Sequence, residues 1–365
     1  MSLKVPLHDL LVELGADIGE FAGFKTAMSF GDPLAEHNDV RNHAAVFDIS
    51  HMGRIYIYGE DSMALLDRLL PKDISKSRDG RMLGPTAFLN ERGGFKDDVM
   101  LYRFNENRWL VVCNAVNRIK ILSWLREWRE RLGLSRVSID EVTLSTAFIA
   151  LQGPRAREYI EKVSGLKDAA SLEHLGFYSG LSTEYGVVDV ISRSGWTGED
   201  GFEILGAPSV ISKILVALKN LGLRLAGLIA RDTLRLEMGF VLYGNDIDEE
   251  TNPYEARYWV FDENKTDCIG CDALREIGVK GVSRIRYGIR VKKGVRFIPR
   301  NGYEILYKGS VIGRVTSGGY SPYLDRGIGM GYVKASHALP GLDVLIRFRD
   351  RVAEAKILDF PLIKR

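Results

Sequence analysis

Tyr303-Glu304-Ile305-Leu306-Tyr307 and, after Lys308-Gly309-Ser310, Val311-Ile312-Gly313-Arg314-Val315 decide how the chain ends. Short runs rich in β-branched and aromatic residues, broken by glycine, are too brief for helices and read as strands joined by tight turns. The same texture continues through Gly329-Met330-Gly331-Tyr332-Val333, Asp343-Val344-Leu345-Ile346 and Val352-Ala353-Glu354-Ala355-Lys356-Ile357. Closely spaced strands of this kind predict a small antiparallel barrel or jelly roll. Its start falls near residue 282, which divides the chain into regions 1–282 and 283–365.

Working back from that boundary, strands alternate with helices. Arg54-Ile55-Tyr56-Ile57-Tyr58 predicts a strand that Gly59 stops, and Asp61 to Leu70 a helix with Met63, Leu66 and Leu70 on one face, ended by Pro71. Trp109-Leu110-Val111-Val112-Cys113 reads as a buried strand; Val116, Ile119, Leu122, Leu125 and Trp128 then recur at helical spacing as far as Gly133. Phe148 to Leu151 is strand-like, and Pro154 to Val163 reads as a helix with proline in its first turn. Val187 to Ile191 and Phe202 to Leu205 flank a glycine-rich turn, and Val210 to Leu221 completes the pattern as a helix. Region 1–282 is therefore expected to hold two α/β lobes of similar content, a pseudo-repeat, and the whole chain to be α+β.

Composition narrows the class of protein. The chain has 365 residues, 50 Lys+Arg against 48 Asp+Glu, a hydrophobic fraction of 45% and a charged fraction of 27%. Those values exclude a disordered chain and one dominated by a charged tail. No apolar run approaches the ~18 residues of a membrane helix, and the first residues lack the apolar core of a secretory leader. Three cysteines, at 113, 268 and 271, are too few for a disulfide scaffold. A cytoplasmic protein is expected, with neither a membrane nor a nucleic acid as partner.

Three segments can carry chemistry. Asn90-Glu91-Arg92-Gly93-Gly94-Phe95-Lys96-Asp97-Asp98 delivers two carboxylates from a Gly-Gly turn onto a strand. Strand alternation sends them to opposite faces, so Asp97→Asn should cost much less than Asp98→Asn. Arg193-Ser194-Gly195-Trp196-Thr197-Gly198-Glu199-Asp200-Gly201-Phe202-Glu203 sets an aromatic among acids, which suits a flat heterocycle with N–H donors rather than a phosphate. Arg231 and Arg235 lie four apart, on one face of any helix through them; one could bind a ligand carboxylate, or Arg235 could pair with Asp232. The Cys268-Ile269-Gly270-Cys271 pair is incomplete as a zinc site and is expected to sit in a structural turn, a redox pair or disulfide being the alternative. Eight basic residues with no acid between Lys280 and Arg300 predict a solvated strand face, with docking of an acidic carrier as the functional alternative.

In order along the chain, these segments resemble the aminomethyltransferase, or T-protein, family of the glycine cleavage system. Phe47-Asp48-Ile49-Ser50-His51-Met52-Gly53 matches the family's FDVSHMG. Leu89-Asn90-Glu91…Gly93-Gly94…Asp97-Asp98, Ala150-Leu151-Gln152-Gly153-Pro154, Thr197 to Glu203 and Ala230-Arg231-Asp232…Arg235-Leu236-Glu237 follow. Tyr243 to Glu249 and Thr316-Ser317-Gly318…Ser321-Pro322 complete the series, so the resemblance spans nearly the whole chain.

The resemblance implies the folate-binding T-protein fold, with α/β lobes around a central channel and a C-terminal barrel. It implies transfer of an aminomethyl carbon from the dihydrolipoyl arm of a carrier H-protein to tetrahydrofolate, releasing ammonia and forming 5,10-methylenetetrahydrofolate, with no metal. Asp98 matches the family's catalytic acid, Glu203 the acid that hydrogen-bonds the pterin, and Arg231 a ligand-contacting arginine. Met52 and Asn114 match channel-lining positions, Trp259 a family tryptophan, and Tyr178 falls beside a pocket aromatic. Trp196 stands where the family usually has Tyr, and Met82-Leu83-Gly84-Pro85-Thr86 lacks the tyrosine that many members carry there. A folate-dependent demethylase on the same fold and a non-catalytic folate-binding protein of iron–sulfur assembly are the alternatives. The latter branch carries a KGCYxGQE-like motif, with which Lys265 to Asp272 is out of register.

Overall fold

The strands Gly186–Ser192 and Gly201–Gly206 pair antiparallel across the glycine-rich turn. They sit inside a six-stranded sheet ordered Phe177–Thr183, Gly186–Ser192, Gly201–Gly206, Ala147–Gln152, Ala45–Asp48, Arg224–Ala226. This is the computed structural model of the chain, and it describes residues 2–364. Two compact units divide it: one runs through Thr86 and resumes from Asp97 to Arg231, the other comprises Ala87–Lys96 and the chain from Asp232 onward.

In the first unit, the six-stranded sheet has antiparallel neighbours except where Arg224–Ala226 lies parallel to Ala45–Asp48. Alternate residues Ile149, Leu151, Ile191 and Ile204 face a core shared with Ile211, Ile214 and Leu218 of the helix Pro208–Asn220. Fully burying each such side chain is worth about 1.5–3 kcal/mol. A second sheet runs in the order Arg81–Leu89, Phe95–Asn105, Arg108–Cys113, Gly53–Tyr58, Ser138–Glu141; the hairpin tip between its first two strands is counted with the second unit. A small sheet of Leu3–Lys4, Phe24–Ser29 and Asp17–Phe21 precedes both, and no periodicity in the sequence announced it.

The helix after Cys113 forms over Arg118–Arg131, but its buried residues are Ile121, Trp124 and Leu125. Val116 and Ile119, expected on that face, are 59% and 56% exposed. A run spaced by threes drifts around a helix of 3.6 residues per turn, so its ends cannot share one buried stripe. The helix expected from Pro154 to Val163 is regular only over Ala156–Ile160.

In the second unit, among the described residues, six strands close into a barrel in the order Arg284–Val291, Arg326–Lys334, Ser310–Ser321, Glu304–Tyr307, Asp343–Phe348, Arg351–Leu358. Ile289, Ile305, Ile312, Val333, Ile346 and Ile357 fill it. The basic stretch is not one free surface. Arg286 is buried and donates to the carbonyls of Ala256 and Gly239, while Arg284 pairs with Glu255 and Lys292 with Glu354.

Cys268 and Cys271 form a disulfide at the start of the helix Cys271–Lys280, whereas Cys113 is free and buried. The turn was expected; the bond had been the alternative. Closing so short a loop contributes about 2 kcal/mol on a chain-entropy estimate. Denatured without reductant, the protein should therefore titrate as one thiol, and after reduction as three. Dithiothreitol should also lower its melting temperature; three thiols without reductant would contradict the bond.

Candidate active site

The Asp pair is placed by a rigid hairpin. Asn90 Oδ1 accepts the N–H groups of Arg92 and Gly94, each at 3.0 Å, and Asn90 Nδ2 donates to the Glu249 carbonyl at 2.9 Å. A Cβ on Gly94 would stand 1.9 Å from that carbonyl, so only glycine lets the backbone approach this closely. The strand Phe95–Asn105 then carries Asp97, fully buried, and Asp98, half-buried.

Both carboxylates meet Asn114, the residue that follows the strand Arg108–Cys113. Its backbone N–H donates to Asp97 Oδ2 at 2.9 Å, and its Nδ2 lies 2.8 Å from Asp97 Oδ1 and 2.7 Å from Asp98 Oδ1. Asn117 Nδ2 adds a bond of 2.6 Å to Asp97 Oδ1. Burial and then the neighbouring Asp98 push the Asp97 carboxyl well above its ordinary range, while these donors act the other way. The two differ in burial along the strand, Asp97 enclosed and Asp98 part-buried, yet both carboxylates converge on the Asn114 amide.

Met52 sits in the turn before Gly53, which pairs with Cys113 across the sheet. A Cβ on Gly53 would fall 2.4 Å from Cys113 Sγ. The fully buried Arg54 secures that turn by donating to the carbonyls of Ser50, Met52, Thr143 and Thr146.

A hydroxyl chain holds Glu203. Ser194 Oγ donates to Glu203 Oε2 at 2.7 Å, Ser192 Oγ lies 2.8 Å from Ser194 Oγ, and the Tyr102 hydroxyl lies 3.2 Å from Ser192 Oγ. Tyr102 is on the same face of its strand as Asp98, four residues on, or about 13 Å along the strand. Burial pushes the Glu203 carboxyl up, against the hydrogen bond from Ser194 and the positive charge of Arg231.

Arg231 opens the helix Leu228–Met238. Burial lowers its guanidinium's pKa, against the nearby Glu203, and its enclosed Nη1 has no hydrogen-bond partner among the described residues. Burial, then the charges of Arg231 and Arg54, drive His51 down to about 3, so its ring is neutral near pH 7; its Nδ1 is likewise buried without a partner. A desolvated donor lacking a protein acceptor suits an acceptor on a bound molecule. Arg235, within the second unit, is consumed instead: it pairs with Asp232 at 2.8 Å and with the buried Asp246 at 2.7 Å, and donates to Ser317.

The acids around Trp196 divide by role. Glu199 pairs with the buried Arg41 at 2.6 Å, and Asp200 with Arg193 at 2.8 Å, which leaves Glu203 as the acid facing the hydroxyl chain. Gln152 braces the same loop, donating to the Ser194 carbonyl and accepting from Thr197. Trp196 itself is part-buried.

Tyr178 is not brought to this cluster. It pairs with Ile191, which pairs with Ile204, whereas Phe177, Ser192 and Glu203 form the neighbouring row on the opposite face. Phe177 is the aromatic that meets Tyr102, edge-on at 5.3 Å. Tyr178→Phe should therefore leave folate affinity within about twofold, as for substitutions remote from a site. A tenfold loss on calorimetric titration would put the phenol in the pocket. Trp259, in the second unit, is 62% exposed and packs on Tyr254 and Phe261. Sequence reasoning assigned no role to Tyr102, Ser192, Ser194, Gln152 or Asn117. The spacing Ser192-x-Ser194, at the end of a strand, was the one available signal.

A family profile described as the GCVT N-terminal domain matches residues 7–263, and one described as the glycine cleavage T-protein C-terminal barrel domain matches residues 284–364. A probable aminomethyltransferase of Aeropyrum pernix is 40% identical over 98% of this chain and 96% of its own. The aminomethyltransferase of Halothermothrix orenii is 38% identical over 99% of both chains. The crystal structure of glycine cleavage system aminomethyltransferase T from Bartonella henselae superposes with a TM-score of 0.89 at 31% identity, covering 100% of this chain and 98% of that one.

Proposed function

Because the chain belongs to the glycine cleavage T-protein family, we propose that its first unit binds tetrahydrofolate between Asp98 and Glu203 and performs aminomethyl transfer there. The reaction takes the aminomethyl carbon from a dihydrolipoyl arm, forms 5,10-methylenetetrahydrofolate and releases ammonia. The observation that carries the site reading is the enclosed, unpartnered Nη1 of Arg231 near the part-buried Glu203. An arginine and an acid, each partly withdrawn from water and without a hydrogen bond between them, offer a donor and an acceptor to one ligand.

The roles follow from position. Glu203, held by Ser194, accepts from the amino and ring N–H groups of the pterin, and Arg231 donates to a ligand oxygen. Trp196 supplies a stacking face, and Met52 and Asn114 line the reacting end. Asp98, oriented by Asn114, accepts from the folate nitrogen as that nitrogen gains positive character on attacking the carbon. Positioning the nitrogen and carbon supplies much of the rate. We assign this chemistry to residues 1–282, with residues 283–365 as the barrel, and a lipoylated H-protein as the carrier.

An assay with carrier reduced to its dihydrolipoyl form, ammonia and methylenetetrahydrofolate, run in the glycine-synthesis direction, tests the reading. Aminomethyl loading of the carrier is the expected result. Folate binding without loading would make the chain a non-catalytic binder, and demethylation of a methylamine without loading would favour the demethylase alternative.

A further inference from the structure

We propose that Asp97 is a positioning residue for aminomethyl transfer, acting on Asp98 through the side-chain amide of Asn114. The inference rests on the role given to Asp98 above. An asparagine Nδ2 carries two hydrogens, and here its closest acceptors, at 2.8 and 2.7 Å, are Asp97 Oδ1 and Asp98 Oδ1, with the Asp98 carbonyl farther off at 3.2 Å. The two shorter bonds tie one amide to both carboxylates. Turning the amide over would set its oxygen against both acids, so Asp97 selects the orientation in which Asn114 can hold Asp98. Asp97 itself is fixed: its oxygens receive the Asn114 backbone N–H, the Asn114 amide and the Asn117 amide, at 2.9, 2.8 and 2.6 Å.

Those donors explain why a fully buried acid stands beside a second acid. The arrangement is electrostatically unfavourable, and the donors offset it only if Asp97 presents oxygens to all of them. Asparagine at 97 must turn an NH₂ group toward at least one of these N–H donors. Asn114 then loses one of the two carboxylates that orient its amide, and its hold on Asp98 loosens. A displacement of about 1 Å in such a group costs up to about 10²-fold in rate.

A purely structural role, bracing the turn Ala115–Asn117, would destabilise the fold without touching the link to Asp98. A double-mutant cycle separates the two roles. Turnover, folate KM and melting temperature are measured for wild type, Asp97→Asn, Asp98→Asn and the double variant. Asp97→Asn should lower kcat by about 10-fold, well short of the loss for Asp98→Asn, with little change in folate KM. In the Asp98→Asn background the same change should cost less than about twofold, because nothing is left to position. Independent losses that multiply, or wild-type kcat for Asp97→Asn, would overturn the proposal.

If Asp97→Asn does not fold, Asn117→Ala loosens Asp97 by one donor only. Its smaller kcat loss should likewise vanish in the Asp98→Asn background; a loss that persists there overturns the proposal. Wild-type turnover by Asp98→Asn alone would instead refute the role of Asp98, a result distinct from failure of the coupling.

Discussion

Asp98→Asn is expected to lower turnover by roughly 10²-fold or more while the protein folds normally, as for loss of one preorganised charge-stabilising group. The substitution keeps the shape of the side chain and removes its charge and one acceptor oxygen. The half-buried position matters: a carboxylate partly withdrawn from water interacts more strongly with a nitrogen gaining charge than an exposed one would. If Asp98 meets the reacting nitrogen chiefly in the transition state, as proposed, kcat should fall with little change in folate KM. Steady-state kinetics with saturating carrier measures this, beside a thermal melt to establish folding. A raised KM at unchanged kcat would make Asp98 a binding group and move the chemistry elsewhere.

Glu203→Gln should weaken tetrahydrofolate binding by about 1–3 kcal/mol, the scale for damaging a charged hydrogen bond. That is about 5- to 150-fold in affinity. Glutamine can still accept from Ser194, whose oxygen stands 2.7 Å from Oε2, so the local strand should survive. What is lost is the negative charge opposite Arg231 and the second acceptor for pterin N–H donors. Calorimetric titration with tetrahydrofolate reads the effect directly. Unchanged affinity would make Glu203 a structural acid within its turn, like Glu199 and Asp200.

Local pattern carried most of the fold into view. The barrel was legible because its strands are short, adjacent in sequence and punctuated by glycine, and the hairpin of Val187–Ile191 with Phe202–Leu205 was legible for the same reason. The buried face of Arg118–Arg131 was misjudged because the apolar residues outnumber those the core receives. At the candidate site, the carboxyl pair could be seen on its strand, but its tether could not. Asn114 and Asn117 reach Asp97 from another strand end, and sequence spacing holds no record of that approach. Likewise nothing in Ala230-Arg231-Asp232…Arg235 distinguishes the two arginines; Asp246, outside that motif, neutralises Arg235, whereas the Arg231 Nη1 has no hydrogen-bond partner among the described residues. Tyr178 and Phe177 are neighbours, and only the strand register decides which of them shares a face with Glu203.

The proposed function requires folate to occupy the space between Asp98 and Glu203. A crystal structure of the protein with tetrahydrofolate bound tests that most directly. It should show the pterin amino and ring N–H groups within hydrogen-bonding distance of Glu203, Arg231 Nη1 bonded to a ligand oxygen, and a folate nitrogen facing Asp98. A pterin seated away from Glu203, with Arg231 still unbonded, would contradict it.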